Sequence, residues 1–176
     1  MATHGQYSKY YITPFWANRP ESYRDLDYIN EEFNDVESLT KWDAQGYGPK
    51  YTGWMCDMRS PQPMWNDRII KVFEKYGWKD IGTSYYRMDT GTILPTHSDL
   101  YLKYIDVFNL QGQEKSIRRA IVFLEKWQSG HYLEVAGDVI TKWPAGTVVE
   151  WAYDTPHMAA NIGTAPRYTL QITGHI

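Results

Sequence analysis

His97, Ser98 and Asp99 set an imidazole and a carboxylate two residues apart, and a second imidazole, His157, follows sixty residues later. Arg167 comes ten residues after His157, with Thr169 two further on. In an extended segment, alternate side chains share a face, so His97 and Asp99 can reach one ion. His157 must arrive from a different strand, because three ligands on one strand cannot close around a metal. Two neutral imidazoles and one carboxylate hold one face of a ferrous ion and leave the opposite face open. A guanidinium presents a planar fork that grips a carboxylate through two parallel bonds, and the Thr169 hydroxyl can add a third. The chemistry these types support is oxygen activation on Fe(II) with a keto acid. A lone His-x-Asp arises often by chance. The plainer reading is unrelated polar residues on loops, with Arg167 facing solvent from an edge strand.

The elements that must position these residues fall into two halves. Residues Pro20 to Val36 carry Tyr23, Leu26, Ile29 and Phe33 at spacings of three and four, which predicts a helix. A loop rich in Gly and Pro follows, around Gly46 to Gly53. A second helix is predicted over Met64 to Tyr76, with Pro63 before it, Gly77 after it, and Ile69, Val72, Phe73 and Tyr76 as its buried stripe. From Lys79 onward, short runs of Ile, Val, Tyr and Thr alternate with turn residues. Strands are predicted over Gly82–Met88, Thr92–His97, Ile117–Leu124, His131–Val135, Val139–Lys142, Thr147–Trp151, His157–Ile162 and Tyr168–Thr173. Eight such strands suit a mainly β fold, a double-stranded β-helix of the cupin-like jelly-roll kind. The helical front (1–78) then packs on one sheet of the core (79–176) within a single domain. Arg167, Thr169, Gln171 and Thr173 share one face of the last strand, and Tyr168, Leu170 and Ile172 the other. The polar face is the one expected to meet the site, which leaves the apolar face for the covering helices.

Composition narrows the class further. An apolar fraction of 43% suffices for a core, and the 16% aromatic content supplies residues that often line clefts. The net charge of -3 is mixed along the chain with no basic stripe, which argues against a nucleic-acid partner. Cys56 is the one cysteine, so neither an internal disulfide nor a thiolate cluster can form within the chain. There is no charged start followed by an apolar run, and no segment long and apolar enough to span a bilayer. A cytoplasmic protein with a small-molecule or peptide substrate and no membrane partner is expected.

Taken together, the stretch Tyr86-Arg87-Met88-Asp89-Thr90-Gly91-Thr92-Ile93-Leu94-Pro95-Thr96-His97-Ser98-Asp99 resembles the metal-binding segment of the aspartyl/asparaginyl β-hydroxylase-like proteins. These belong to the 2-oxoglutarate- and Fe(II)-dependent oxygenases. The resemblance continues through Ser116-Ile117-Arg118, Trp143-Pro144-Ala145-Gly146-Thr147, Asp154-Thr155-Pro156-His157 and Pro166-Arg167-Tyr168-Thr169. It covers roughly the last hundred residues. It implies Fe(II) on His97, Asp99 and His157, and the distal carboxylate of 2-oxoglutarate on Arg167 and Thr169. It also implies a cosubstrate bond from Tyr86 and a contact from Arg118 to cosubstrate or substrate. The implied reaction consumes O2, hydroxylates an amino acid or a peptidyl side chain, and yields succinate and CO2. Some relatives carry a histidine two residues after the Arg118 position, where this chain has Ala120; that contact is missing here or comes from Tyr86 or Arg119.

Further candidates are weaker. Tyr101, Tyr104 and Trp151 can shape a substrate site, although aromatics more often serve packing. His131 can line the pocket, but a satisfied structural histidine is the commoner case. Arg118 and Arg119 alternate, so a regular strand points one of them inward. Two other functional classes fit the same residues: a cupin-like metal enzyme that does not use 2-oxoglutarate, and a non-catalytic binding module that keeps the pocket as a relic.

Overall fold

The computed structural model describes residues 7–47 and 51–176. Its elements in chain order are β1 (Tyr7–Tyr11), β2 (Ile29–Glu32), α1 (Val36–Ala44), β3 (Thr52–Asp57), α2 (Asn66–Lys75), β4 (Lys79–Met88) and β5 (Thr92–His97). There follow α3 (Leu102–Val107), β6 (Ile117–Phe123), β7 (His131–Val135), β8 (Asp138–Ile140), β9 (Thr147–Ala152), β10 (His157–Asn161) and β11 (Arg167–His175). The strands form two antiparallel sheets, β1-β9-β6-β11-β4-β3-β2 and β5-β10-β7-β8. All eight strands expected from the sequence are present, divided four and four between the layers. This is the jelly roll, with the first sheet widened by β1, β3 and β2.

Those three extra strands were not anticipated. The helix expected over Pro20 to Val36 is instead a 3-10 turn at Tyr23–Asp25 followed by β2. Ile29 to Glu32 pair with Met55 to Thr52 on the free edge of β3, and that ladder outweighs a weak helical spacing. Tyr23, Leu26 and Tyr28 pack on the outer core from irregular backbone. The helix α1 begins where the expected one was to end. Asp35 caps it by accepting a 3.2 Å bond from the Glu37 N–H. The expected loop at Gly46 to Gly53 gives way at Thr52 to β3; its residues 48–50 and the N-terminal His4 lie outside the described residues.

Both faces of the wide sheet are covered. Ile69 and Phe73 of α2, with Trp65 and Trp78 flanking it, pack on Tyr85, Ala120, Val122, Leu170 and Ile172. Burying each such side chain contributes about 1.5–3 kcal/mol. Tyr76, expected in that stripe, is 63% exposed. It sits at the helix end, where the Gly77 left-handed turn (φ +86°) redirects the chain and Trp78 takes the buried place. Only α2 covers the outer face as expected; α1 lies elsewhere, with its one buried residue, Trp42, against the end of β5. Between the sheets, Met88, Ile121, Phe123, Leu133, Val135, Ile140 and Val149 form the inner core, closed by Trp143 stacked on Phe123 at 3.7 Å. The inner face is therefore mixed: apolar over most of its area, polar where Arg167 and Thr169 stand. No helix among the described residues is long and apolar enough to cross a membrane.

Candidate metal centre and carboxylate pocket

His97 closes β5 and His157 opens β10, and the two are direct partners in the antiparallel ladder. A register shift between His157 and Ala159 re-aims this end of the strand, as bulges beside functional sites do. The imidazole centroids lie 4.5 Å apart. Asp99, in the loop after β5, brings Oδ1 to 3.8 Å from His97 Nε2 and Oδ2 to 3.9 Å from His157 Nε2. One ligand atom from each of the three lies within 4.8 Å of the others.

The backbone fixes which nitrogen each ring offers. His97 Nδ1 meets the Pro95 carbonyl at 2.7 Å, and His157 Nδ1 meets the Thr155 carbonyl at 3.0 Å. A carbonyl only accepts, so each Nδ1 carries the hydrogen and each Nε2 keeps its lone pair towards Asp99. Burial holds the His157 pKa down at about 4, against the pull of Asp99, so its ring is neutral at pH 7. Burial alone would raise Asp99, but Arg119, His157 and His97 outweigh it and hold the carboxyl well below the usual range. Two imidazole nitrogens and an ionised carboxylate in one small volume are a set that fits Fe(II).

The second part of the site lies on the facing sheet. Arg167 and Thr169 begin β11, and Thr169 is the ladder partner of Tyr86 on β4. Arg167 is 4% exposed. Its Nη1 donates to the Tyr132 carbonyl at 2.7 Å, while its buried Nε has no partner. Among the described residues no carboxylate pairs with it. Burial pulls the guanidinium pKa down to about 10, opposed by Tyr86. A buried charge left this way is costly unless an anion meets it. Tyr86 is buried, and burial pushes its phenol up to about 12, with Arg167 opposing and Glu31 adding.

Gly53 on β3 makes room for the Tyr86 ring: a Cβ there would collide with the phenol oxygen and its ring carbon. We expect Gly53→Ala to lower stability by about 1–3 kcal/mol through overpacking. Urea unfolding measures the loss, and an unchanged value would show that Tyr86 can move freely.

Other expected residues divide. On β6, Ile117, Arg119 and Ile121 face inward and Arg118 faces out with Ala120 and Val122, so Arg119 occupies the site and Arg118 does not. Arg118 instead donates to the Lys115 and Ile117 carbonyls. Ala120 lies in the outer core, so the residue type at that position is not exposed to the pocket. Trp151 packs its ring 4.9 Å from His157. Tyr101 lies over Arg119, whereas Tyr104 donates outside the site to the Asp80 carbonyl. His131 is buried with Nε2 at 3.0 Å from the Ala165 carbonyl, which braces the turn before Arg167.

Three contributions were not foreseen. Phe33 and Trp42 set their rings edge-on to His97, at 5.1 and 5.7 Å, from a front segment with no recognisable motif. Asn161, fully buried, donates to the Met88 and Ala165 carbonyls and accepts from Gly163 N–H, which pins the turn that delivers Arg167. An Asn before Ile-Gly was the available signal for that turn. Arg119 binds Asp99 directly.

Comparison with protein-family models and with curated proteins gave no match. Solved structures do match. A Pseudomonas putida prolyl-4-hydroxylase superposes with a TM-score of 0.55 at 14% identity, over 86% of this chain and 94% of that one. The viral collagen prolyl hydroxylase of Paramecium bursaria Chlorella virus-1, solved with 2-oxoglutarate, gives 0.53 at 12% identity, over 89% and 100%. A non-haem α-ketoglutarate-dependent carbocyclase of nogalamycin biosynthesis gives 0.51 at 12% identity, over 87% and 81%. The chain thus shares the fold of these three enzymes, at identities that speak for fold alone.

Proposed function

We propose that this chain is an Fe(II)- and 2-oxoglutarate-dependent dioxygenase that hydroxylates an amino acid or a peptidyl side chain. The observation that carries the reading is Arg167, a buried guanidinium without an anionic partner, inside the same jelly roll as a His-Asp-His set. His97, Asp99 and His157 would hold the metal. Arg167, with Thr169 and Tyr86 beside it, would hold the far carboxylate of the cosubstrate. Iron and 2-oxoglutarate, once bound, would supply the oxidation, in which O2, 2-oxoglutarate and a substrate C–H bond become succinate, CO2 and the hydroxylated product. The protein's own part is to present two Nε2 lone pairs, keep Asp99 ionised, anchor the cosubstrate and exclude water with the Phe33, Trp42 and Trp151 rings. A metal enzyme that ignores 2-oxoglutarate leaves the buried charge of Arg167 without a purpose, and so fits less well. A reducing, cytoplasmic setting suits a chain whose one thiol, on Cys56, is buried.

The test is anaerobic addition of 2-oxoglutarate to the Fe(II)-loaded protein. A visible charge-transfer band is expected, followed on admitting air by succinate release that free amino acids or peptides stimulate. No band and no detectable 2-oxoglutarate affinity would remove the assignment.

A further inference from the structure

We propose that Arg119 is a positioning residue that clamps Asp99 and strengthens metal binding at the triad. The inference rests on the reading that His97, Asp99 and His157 take a divalent metal. Asp99 stands in a loop, so its carboxylate would otherwise rotate freely about its own bond. Arg119 stops that rotation: Nε and Nη2 both donate to Oδ2, at 3.1 and 3.0 Å. Oδ1 is the oxygen that faces His97 Nε2, at 3.8 Å.

The clamp is itself held. Arg119 projects from β6 opposite Trp151, and its guanidinium lies 5.2 Å from the centre of the Tyr101 ring. Tyr101 follows Asp99 by two residues and has a left-handed backbone, φ +52°. A bulky residue rarely adopts that conformation, and strain of this kind persists where the surroundings over-determine it. Here the reversal accompanies the stacking of the Tyr101 ring on the guanidinium, while the Tyr153 ring, 5.8 Å from that of Tyr101, backs it. Carboxylate, guanidinium and two phenols form one supported column. It ties the loop after β5, which belongs to the narrow sheet, to the wide sheet.

Two effects of Arg119 on a bound cation oppose each other. Its charge beside a ligand repels the metal, whereas fixing the ligand oxygen spares the cost of ordering it on binding. Loss of partners that orient ligands typically weakens metal affinity about 10–100-fold. The inference is that orientation outweighs repulsion, and the sign of the change on substitution decides it.

Cobalt(II) titration of the metal-free protein under nitrogen, followed by its visible absorption, gives the affinity without turnover. We expect Arg119→Met to bind Co(II) about 10–100-fold more weakly than the original protein. Arg119→Lys keeps the charge but lacks the fork, and should be weakened as well. Thermal unfolding of each metal-free variant checks the fold; if the Met variant does not fold, the affinity of the Lys variant decides between orientation and charge. Equal or tighter Co(II) binding by a folded variant overturns the inference, because charge alone would then explain Arg119. Failure of the original protein to bind Co(II) overturns the metal reading and this inference together, and is told apart by its appearance without any substitution.

Discussion

Arg167→Met should abolish useful 2-oxoglutarate binding while leaving the protein about as stable as before. The two halves of this expectation have one cause. A buried cation with a free Nε and no acidic partner is a destabilising feature of the empty protein, and its lowered pKa says the same. A methionine of similar reach removes that desolvation cost, but leaves the Tyr132 carbonyl without its donor, a loss of about 1–3 kcal/mol. The two changes nearly cancel. Binding has no such compensation: removing one partner of a buried, forked ion pair costs about 3–5 kcal/mol, so affinity should fall by at least about 100-fold. Calorimetric titration of 2-oxoglutarate into the metal-loaded protein measures the fall, and a melting curve measures the stability. In the unsubstituted protein, cosubstrate at about 100 times its Kd should add about 2.7 kcal/mol, and the Met variant should lose that gain. An affinity within a few fold of the original would mean that the carboxylate lies elsewhere.

Asp99→Ala should cost both metal affinity and stability. Metal affinity should drop by more than about 100-fold, since a ligand matters more than the partners that orient it. The metal-free protein should also weaken, because Arg119 loses the oxygen to which it gives two bonds. The pair is only partly exposed, 23% for Asp99 and 18% for Arg119, so the loss should be about 1–3 kcal/mol, less than for a fully buried pair. Co(II) titration and urea unfolding report the two numbers independently. A variant that retains metal affinity would show that the two imidazoles bind with some other carboxylate.

Much of this architecture could be read in the chain, for a reason visible in its parts. The strands from Lys79 onward carry β-branched and aromatic runs cut by turn residues, and each such run became a strand of the jelly roll. Alternation along the last strand placed Arg167 and Thr169 inward and Leu170 and Ile172 under α2, as found. The convergence of His97, Asp99 and His157 was legible because a metal site would need such side chains at separations that topology can close. The front of the chain was harder. β2 has residues Ile-Asn-Glu-Glu and owes its existence to the free edge of β3, a partner that periodicity does not report. Helix α1 buries one residue, Trp42, and so has no stripe to detect. Arg118 and Arg119 look equivalent as letters. One residue of register decides between them, and that register is set by the pairing of β6 with β9 and β11.

The two halves of the pocket come from different layers. His97 and His157 belong to the narrow sheet, whereas Arg167, Thr169 and Tyr86 belong to the wide one. No single strand sets the distance from the two histidines to Arg167; the thickness of the sandwich does. Core side chains such as Phe123 on one side and Leu133 on the other therefore act as spacers between the two groups. A close-packed filling of this kind resists compression, so a change of one methylene there would be felt as a longer or shorter span between the histidines and Arg167.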